Sequence, residues 1–341
     1  MSTANFDRYN LVNGDNKDNV REDVSDIISN ISPTQTPFLS AAGTGKASAT
    51  YTEWPKDSLL DVNDANALID GADAGADVST PVERVGNWCQ ISGKVARISG
   101  RAEAVDKIGR ASEMAYQMAK RGKELKRDME AILTGKQASV VGDSSTASKL
   151  GGLRNWYETN TNIAGDGANT GWAAGGLVAA TDGTIRALTE TALRGVIQSI
   201  YSEGGEADTI MVTPPMKTVI SEYLFTSSAR IATLYRDAPG QAPGTAVGAV
   251  DVFVSDFGAL KIIPNRFQGM VSGTPRHKDV HVLDMSLIEV RYLRKFFTSP
   301  LARTGDADNR QMLVDYTLCV KNEAGIGLVG DINHAVAMTA S

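Results

Sequence analysis

Histidine is the first residue type to consider for chemistry, because its side chain titrates near neutral pH and binds metals. The chain has three, His277, His281 and His334. The first two are four residues apart, which would place both on one face of a helix, but no HExxH pattern surrounds them. Gly273 and Pro275 precede the pair and disfavour a helix. We therefore expect solvated loop histidines, not a metal site or a general base.

The two cysteines predict buried structural thiols. Cys89 and Cys319 are far apart, and each lies in an apolar, strand-like run without a CxxC pattern. The chain also lacks the GxSxG and GxxxxGKS/T motifs and a GxGxxG motif after a strand. With so few histidines to act as a base, the sequence predicts no catalytic residue, metal site or cofactor.

The acidic loop, residues 57–82, is rich in Ala, Asp and Gly and contains no Lys or Arg. Its start is similar to a calcium-binding loop, with Asp61 and Asn63 at the first and third positions. However, Asn66 stands where the sharp turn needs Gly, and Ala72 stands where a bidentate Glu belongs. Calcium binding is therefore not predicted.

Composition places the chain among folded globular proteins. It has 341 residues, 42% hydrophobic and 22% charged, enough for one large core or two smaller ones. The formal net charge of −6 disfavours tight binding to duplex DNA. The sequence has no apolar run of about 18 residues, and its start lacks the pattern of a signal peptide. We expect the chain to fold in the cytosol, without a membrane partner.

Residues 1–44 form a polar segment that predicts an extended N-terminal arm. Its one patterned part is an amphipathic run at residues 24–31, which predicts one or two helical turns. Pro33 and Pro37 are expected to end those turns, because proline disrupts a helix interior.

Two runs rich in aromatic and β-branched residues flank the acidic loop and predict one long antiparallel hairpin. The first is KASATYTEWPKDS, residues 46–58, and the second is VERVGNWCQISGKVARIS, residues 82–99, in which apolar and polar residues alternate. A two-stranded ribbon is marginally stable in water unless its side chains are covered. We therefore expect the ribbon to lie against a second subunit.

The strongest periodic pattern predicts one helix over residues 101–134, about 50 Å long at about 1.5 Å per residue. Two pairs at i,i+4 spacing support it, Glu103–Lys107 and Asp106–Arg110. Two rows of seven-residue spacing form its apolar face: Ile108, Ala115, Gly122 and Met129, and Ala111, Met118, Leu125 and Ile132. The small residues on this face favour packing on a sheet over the alternative, a coiled coil.

A second compact unit is predicted after residue 180. Residues 189–205 have a helical apolar face, residues 208–214 predict a buried strand, and residues 215–226 predict a helix that opens at a proline. Strand-like runs then follow: VDVFVSDFG, LKIIPNRF, DVHVLDMSLIEVRYL and RQMLVDYTLCVKNEAGIGLVGDI. The predicted fold class is α+β in two lobes, preceded by an arm and a ribbon.

In this order of parts, the sequence resembles the major capsid (major head) proteins of tailed phages, which have the Hong Kong 97-like fold. The similarity is strongest in TYTEWPKDSL, VGNWCQISGKVARISGRAEAV, RGKELKRDMEAIL, LGGLRNWYETN and DTIMVTPPMK. It covers most of the chain. The segments are specific in combination, because their order and spacing follow the family.

The resemblance implies a division of the chain into named parts. These are an N-terminal arm (1–44), an E-loop hairpin (45–99), a peripheral domain (100–180 and 290–341) with a spine helix (about 101–134), and an axial domain (181–289). In this family the E-loop lies over a neighbouring subunit of the same capsomer. That arrangement would explain an acidic loop that cannot bury itself in its own chain.

The function that the resemblance implies is self-assembly. Copies would form pentamers and hexamers that close an icosahedral shell around packaged double-stranded DNA and expand as the DNA enters. Further partners would be a portal protein and scaffolding or decoration proteins. The location would be the virion, after synthesis and assembly in the host bacterial cytoplasm. Cleavage of a large N-terminal scaffolding segment is not expected, because the arm begins at once.

The predicted site residues are inter-subunit contacts: Tyr51, Trp54, Trp88, Arg97, Arg101, Glu124 and Arg127. Tyr51 and Trp54 would anchor the root of the ribbon and Trp88 its return strand. Arg97 and Arg101 would pair with carboxylates of a neighbour. Two alternatives stay open. Each Trp could be buried within its own chain, and Glu124 could pair with Arg127, three residues away on the helix.

Two other classes of protein also remain. An encapsulin-like nanocompartment shares the fold and would enclose cargo, and a soluble hydrolase would use His277 or His281. Some capsids of this fold form covalent Lys–Asn links, for which Lys56 and Lys94 are available in the ribbon. No motif supports such a link, so it is not expected.

Overall fold

The computed structural model describes residues 30–60, 62–71, 73, 75, 79, 81–107, 109–173, 175–224, 250–271, 273 and 276–339. The amphipathic run predicted at residues 24–31 lies outside these residues, apart from its last two positions. Pro37 does not end a helix as predicted. It is the first residue of one, a position where a missing backbone N–H costs nothing.

The described residues form an α+β structure, as the sequence predicts. The helices are α1 (Pro37–Ala41), α2 (Gly100–Ala104), α3 (Glu113–Leu133), α4 (Glu190–Ser202) and α5 (Pro214–Leu224). The strands of the first half are β1 (Gly43–Lys46), β2 (Tyr51–Lys56), β3 (Glu83–Trp88), β4 (Gln90–Ser99), β5 (Thr161–Asn162), β6 (Trp172–Ala173) and β7 (Gly176–Leu177). Those of the second half are β8 (Thr209–Val212), β9 (Val252–Ser255), β10 (Gly258–Pro264), β11 (Val280–Leu283), β12 (Ile288–Pro300), β13 (Ala307–Val320) and β14 (Gly327–Val329).

A four-stranded sheet with the order β1-β12-β13-β4 supports the first core. Strand β13 runs antiparallel to both neighbours, from Ile288↔Val320 to Pro300↔Arg310 on one side and along all of β4 on the other. Strand β1 is parallel to β12. Strands β12 and β13 each have a hydrogen-bonded partner on both sides, so they are the two interior strands of this sheet.

The predicted long hairpin is only partly right. Strands β2 and β3 do pair as an antiparallel ribbon, from Tyr51↔Trp88 to Lys56↔Glu83. Strand β4, however, leaves the ribbon and pairs with β13. The reason is burial: Ala96 and Ile98 of β4 are covered by residues of α3, which a free ribbon could not provide.

The predicted helix over residues 101–134 is interrupted. Helix α2 ends at Ala104, and Gly109 then adopts φ +74°, a conformation that suits glycine. Helix α3 starts afresh, because the Ser112 side chain accepts a hydrogen bond from the backbone N–H of Ala115. The Glu103 carboxylate accepts from Ser112 Oγ at 2.7 Å and from the Glu113 backbone N–H at 3.0 Å. The interruption is therefore held by specific contacts.

The contacts of α3 confirm that it packs on a sheet, as predicted. Its apolar side contacts β4 and β13, and its buried residues are Met114, Met118, Leu125, Met129, Glu130 and Leu133. Ala111 and Ala115, which were expected on the buried face, are exposed: Ala111 lies before the start of the helix, and Met114 takes the buried position in its first turn. The Glu103–Lys107 pair forms, with 3.5 Å between Nζ and Oε2. Arg110 pairs with Glu113, not with Asp106 as predicted.

A six-stranded sheet with the order β5-β14-β11-β8-β10-β9 supports the second core. Helix α4 buries Leu193, Val196, Ile197 and Ile200, the residues that form its predicted apolar face. The buried strand predicted at residues 208–214 is β8, and the helix predicted to open at a proline is α5. These three predicted elements of the second unit are thus confirmed in the part of the chain that the structure describes.

Buried ion pairs join the segment that follows α3 to the second sheet. Arg154 is fully buried and donates through Nε to Asp279 Oδ1 at 3.2 Å. Arg276 contacts both Asp279 and Asp182, and Lys136 Nζ lies 2.9 Å from Asp182. Burial alone would raise the pKa of Asp182, but its hydrogen bonds with Arg276 and Lys136 outweigh this and lower the pKa. Breaking one partner of such a buried pair is strongly destabilising, so this junction is fixed.

The helix interruption makes a testable prediction about two glycines. Gly109→Ala should lower the free energy of unfolding by about 1–2 kcal/mol, because alanine is strained at positive φ. Gly195→Ala is the matched control. It lies inside α4, with no atom within 4 Å of an added Cβ, and should raise stability by about 0.5–1 kcal/mol. Denaturant titration would measure both, and a stabilising Gly109→Ala would show that residues 105–112 prefer to be helical.

Candidate functional site

Trp54 is buried within its own chain, where it fixes the root of the ribbon. Its indole Nε1–H donates to the backbone carbonyl of Val320, the last residue of β13, at 2.9 Å. The ring lies 5.5 Å from that of Trp156, and the Arg291 guanidinium stands over it at 5.6 Å. The intramolecular alternative is therefore correct for Trp54. The residue anchors the ribbon as predicted, but to its own core.

Tyr51 and Trp88 face each other across the ribbon and are half-buried. They are register partners, and their ring centroids lie 4.6 Å apart. The Tyr51 ring also covers Gly86, where an added Cβ would lie 2.7 Å from the ring. Trp88 Nε1 is buried and has no hydrogen-bond acceptor among the described residues. Its indole differs in this respect from that of Trp54.

The charged residues predicted as contacts occupy different environments. Arg97 and Arg101 are exposed where β4 meets α2, and Arg97 Nη2 lies 3.5 Å from the carbonyl of Thr304. Glu124 pairs with Arg121 at 2.6 Å and not with Arg127, so the predicted alternative pairing is wrong. Arg127 instead places its guanidinium 5.1 Å from the centre of the Phe267 ring. These residues do not form one cluster.

The acidic loop exposes a set of large apolar side chains that sequence reasoning did not single out. Their exposed fractions are Leu59 98%, Leu60 57%, Val62 98%, Leu68 87% and Ile69 81%. Single exposed leucines are normal in soluble proteins, but five large apolar side chains exposed within eleven residues favour an interaction site. The sequence did contain a signal for this site, because large hydrophobic residues lie among aspartates in a segment without Lys or Arg.

Glu130 is a buried carboxylate that joins three segments, and the sequence pattern did not reveal it. It lies near the end of α3 and accepts hydrogen bonds from the backbone N–H groups of Phe38 and Leu39 in α1, both at 2.8 Å. The Asn265 side-chain amide, at the end of β10, donates to it at 2.7 Å. The carboxylate thus caps the first turn of α1, which has no side-chain cap of its own.

The electrostatics of Glu130 are set by its surroundings. Burial raises its pKa to about 7, and the three hydrogen bonds keep the pKa from rising further. No charged side chain contributes to this shift. The base of the N-terminal arm is therefore held to α3 by a group that titrates near neutral pH.

The prediction of solvated loop histidines is wrong for His281. This residue lies in β11, fully buried, with its Nδ1 2.8 Å from the Tyr157 hydroxyl. Burial lowers the pKa of His281 to about 4, so the imidazole is neutral at pH 7. The run of apolar residues around it, Val280, Val282 and Leu283, was the signal for a buried strand. Having no access to solvent, His281 cannot serve as the base of a hydrolase.

The other two histidines lie against each other, and the two cysteines are buried. The rings of His277 and His334 lie 4.7 Å apart, and burial together with His334 lowers the pKa of His277. Cys89 and Cys319 are free and buried, as predicted. Burial raises the pKa of Cys89, and it raises that of Cys319 to about 12. Neither thiol is therefore activated as a nucleophile.

Two features are absent from the described residues. No group of three or more His, Cys, Asp or Glu side chains in the described ranges could hold a metal ion. In the same part of the chain, no helix combines the length and apolar character needed to cross a bilayer.

Comparison with known proteins identifies relatives of the sequence. A family model described as SU10 major capsid protein matches residues 3–333. A major capsid protein of Escherichia phage Phieco32 is 32% identical over 217 residues, which are 55% of this chain and 62% of that protein. The match therefore spans less than two thirds of the relative's length.

Comparison with solved structures concerns the fold. The capsid asymmetric unit of cyanophage A-1(L) has a TM-score of 0.63 at 11% identity, covering 95% of this chain and 99% of that one. The holo-SrpI encapsulin complex from Synechococcus elongatus has a TM-score of 0.53 at 10% identity, covering 93% and 94%. The predicted Hong Kong 97-like capsid fold is confirmed.

The two ribbon tryptophans should respond differently to the same substitution. Trp54→Phe removes a buried hydrogen bond to Val320 and leaves a small cavity, so the free energy of unfolding should fall by about 2–3 kcal/mol. Trp88→Phe is the matched control and should cost about 1 kcal/mol or less, because it breaks no hydrogen bond in the described part of the chain. Equal losses in denaturant titrations of the dissociated chain would contradict the assigned role of Trp54.

Glu130 makes a prediction about pH. Its folded-state pKa of about 7 exceeds the ordinary value of 4.5, so the folded chain binds a proton that the unfolded chain releases. Stability from this group is therefore full below pH 4.5 and falls as pH rises to 7, by up to about 3 kcal/mol. Glu130→Gln should remove this part of the pH dependence. Denaturant titrations at several pH values would test it, and identical profiles for both proteins would refute the assignment.

Proposed function

We propose that this chain, which belongs to the SU10 major capsid protein family, is the subunit that builds the shell of a tailed-phage head. Copies associate through pentamers and hexamers into a closed icosahedral shell, which encloses packaged double-stranded DNA. The observation that carries the proposal is the family match, because it extends over residues 3–333 and leaves little of the chain outside it.

The geometry of the ribbon supports assembly as the activity. Its root is buried in the chain's own core through Trp54, whereas the acidic loop beyond Lys56 exposes Leu59 and Val62 almost completely. Covering such side chains contributes about 25 cal/mol per Å² of apolar surface removed from water. A second copy of the chain could supply that cover. The ribbon then acts as an arm that one subunit extends towards another.

The parts of the chain take the roles that the resemblance implied. We assign residues 1–44 to the N-terminal arm, 45–99 to the E-loop, 100–180 and 290–341 to the peripheral domain, and 181–289 to the axial domain. Helix α3 serves as the spine helix, with α2 as a separate short piece before it. The four-stranded sheet, which packs on α3, is the core of the peripheral domain.

The partners and location follow from the same proposal. Further contacts are with a portal protein, with scaffolding or decoration proteins, and with DNA as a non-specific content of the shell. A formal net charge of −6 suits a wall that must not adhere to phosphates. The chain belongs to the virion and is assembled in the host bacterial cytoplasm. It works by contact and not by catalysis, so Tyr51, Trp88, Arg97 and Arg101 serve at interfaces.

An encapsulin-like compartment is the second candidate, because one similar structure is an encapsulin complex. The two functions differ in the contents of the particle. Particles purified from the native source contain double-stranded DNA if the chain is a phage capsid protein, and protein cargo without a genome if it is an encapsulin. Nuclease protection and mass spectrometry of the contents distinguish them.

Assembly should depend on the exposed apolar residues of the acidic loop. The double variant Leu68→Asp, Ile69→Asp should reduce the yield of assembled particles about tenfold or more, because two charges replace side chains that become covered. Its unfolding curve should match that of the unchanged chain, since both side chains are exposed in the subunit. Light scattering and negative-stain microscopy measure the yield.

Two outcomes would count against the proposal. If the unchanged chain stays a monomer or dimer at high concentration, with or without scaffolding protein, the chain is not a shell subunit. If the double variant assembles with normal yield, the apolar residues of the loop are not assembly contacts. Asp70→Asn on the same loop is a matched control that keeps the apolar residues and should assemble normally.

A further inference from the structure

The two histidines that solvent reaches lie against each other and are called the histidine pair below. The rings of His277 and His334 have centroids 4.7 Å apart, and their planes are inclined by 52°, so they are not stacked face to face. His281, the third histidine, is fully buried in β11. His277 thus pairs with a residue that is far from it in the sequence, and not with His281, four residues away.

The histidine pair lies just beyond the paired ends of β11 and β14. After the last register pair of these strands, the backbone N–H of Ile332 donates to the carbonyl of Lys278 at 2.9 Å. His277 directly precedes Lys278, and His334 follows Ile332 by two residues. Backbone contacts therefore hold the two rings close together.

The residue before each histidine is also held in place. The backbone N–H of Asn333 donates to the carbonyl of Arg186 at 2.7 Å, and that of Arg276 donates to the carbonyl of Gln268 at 3.0 Å. A site whose side chains are in position before a ligand arrives loses less entropy when the ligand binds.

The nitrogen atoms of His277 are in a state that suits metal binding. Its Nδ1 is buried and has no hydrogen-bond partner among the described residues. Burial and the neighbouring His334 lower the pKa of His277, so its imidazole is neutral at pH 7. The neutral imidazole is the form that binds metal ions.

The distance between the rings fits one shared metal ion. Zinc binds imidazole nitrogen at about 2.1 Å, which places the ring centre about 3.2 Å from the ion. Two such rings would have their centres about 4.5 Å apart for a right angle at the ion, and about 5.2 Å apart for a tetrahedral angle. The observed 4.7 Å lies between these values.

The cations beside His277 have carboxylate partners of their own. Arg276 contacts both Asp182 and Asp279, and Lys278 Nζ lies 3.9 Å from Asp182 Oδ2. Their charges are therefore compensated within the chain, which reduces the repulsion that a metal ion would meet.

We propose that the histidine pair binds one divalent transition-metal ion, such as Zn²⁺. Imidazole is a ligand that these metals prefer, whereas Mg²⁺ and Ca²⁺ prefer oxygen. Water completes the coordination, because no third His, Cys, Asp or Glu of the described residues joins the pair in a metal-binding group. The ion links the turn before β11 to the segment after β14. This inference does not depend on the proposed function, since the site lies within one copy of the chain.

Calorimetric titration of the untagged, dissociated chain with ZnCl₂ tests the proposal. The expected result is one site per chain, whose affinity His277→Ala and His334→Ala each reduce about tenfold or more, because each removes one of two protein ligands. Val336→Ala is the matched control. It changes an exposed side chain two residues from His334 and should bind Zn²⁺ as the unchanged chain does. His334 is itself exposed, so its variant folds normally and decides the test even if His277→Ala does not fold.

X-ray absorption at the zinc edge identifies the ligands independently of affinity. We expect two imidazole nitrogens, with oxygen in the remaining positions. A shell of oxygen alone, zinc binding that survives both histidine substitutions, or no binding by the unchanged chain would overturn the proposal and leave the proposed function standing. Equal affinity for MgCl₂ would also overturn it, because that result indicates a carboxylate site.

Discussion

Hydrogen bonds along the last residues of β13 hold the root of the ribbon, and little holds the loop beyond it. The Val320 carbonyl accepts from Trp54, the Leu318 carbonyl accepts from Asn87, and the Thr317 hydroxyl donates to the Trp88 carbonyl. These contacts align the ribbon with the four-stranded sheet. The described leucines of the loop remain in solvent. The chain therefore has a stable core and an extension that its own fold leaves uncovered.

The rest of the structure makes that core rigid enough to support an extension. Helix α3 covers one face of the sheet, and its Glu130 carboxylate gathers α1 and the end of β10 onto the same helix. The buried pair of Arg154 and Asp279 fixes the junction with the second sheet. A buried charge without its partner is costly, so each of these contacts favours one arrangement of the segments over others. Rigid subunits with one exposed arm are suited to repetitive assembly, because each contact can then have the same geometry.

The sequence predicted most elements whose pattern is local. Helix α4 and strand β8 have clear periodicity or continuous apolar runs, and the structure confirms both. The start of α3 was also readable, since Gly109 followed by Ser112 and Glu113 is a typical stop and restart of a helix. However, the seven-residue spacing of apolar residues continues through residue 108. It led to the prediction of one helix where the chain has two.

Features that depend on distant partners were not predictable from one sequence. Glu130 lies among the charged residues of a helix, and nothing near it in the sequence indicates that Phe38 and Asn265 surround it. Apolar and polar residues alternate along β4 as they would in a ribbon strand. Only its pairing with β13 shows that it belongs to the sheet. Trp54 was expected at the root of the ribbon and lies there, but the choice between burial in the chain and burial in a neighbour required the structure.

The central claim is that the acidic loop is uncovered in the subunit and covered by a second copy after assembly. Hydrogen–deuterium exchange measures this directly when the dissociated chain and the assembled particle are compared peptide by peptide. The account predicts that exchange in residues 57–71 slows about tenfold or more on assembly, while the peptides of β13 stay protected in both states. Equally fast exchange of the loop in assembled particles, or strong protection already present in the dissociated subunit, would contradict it.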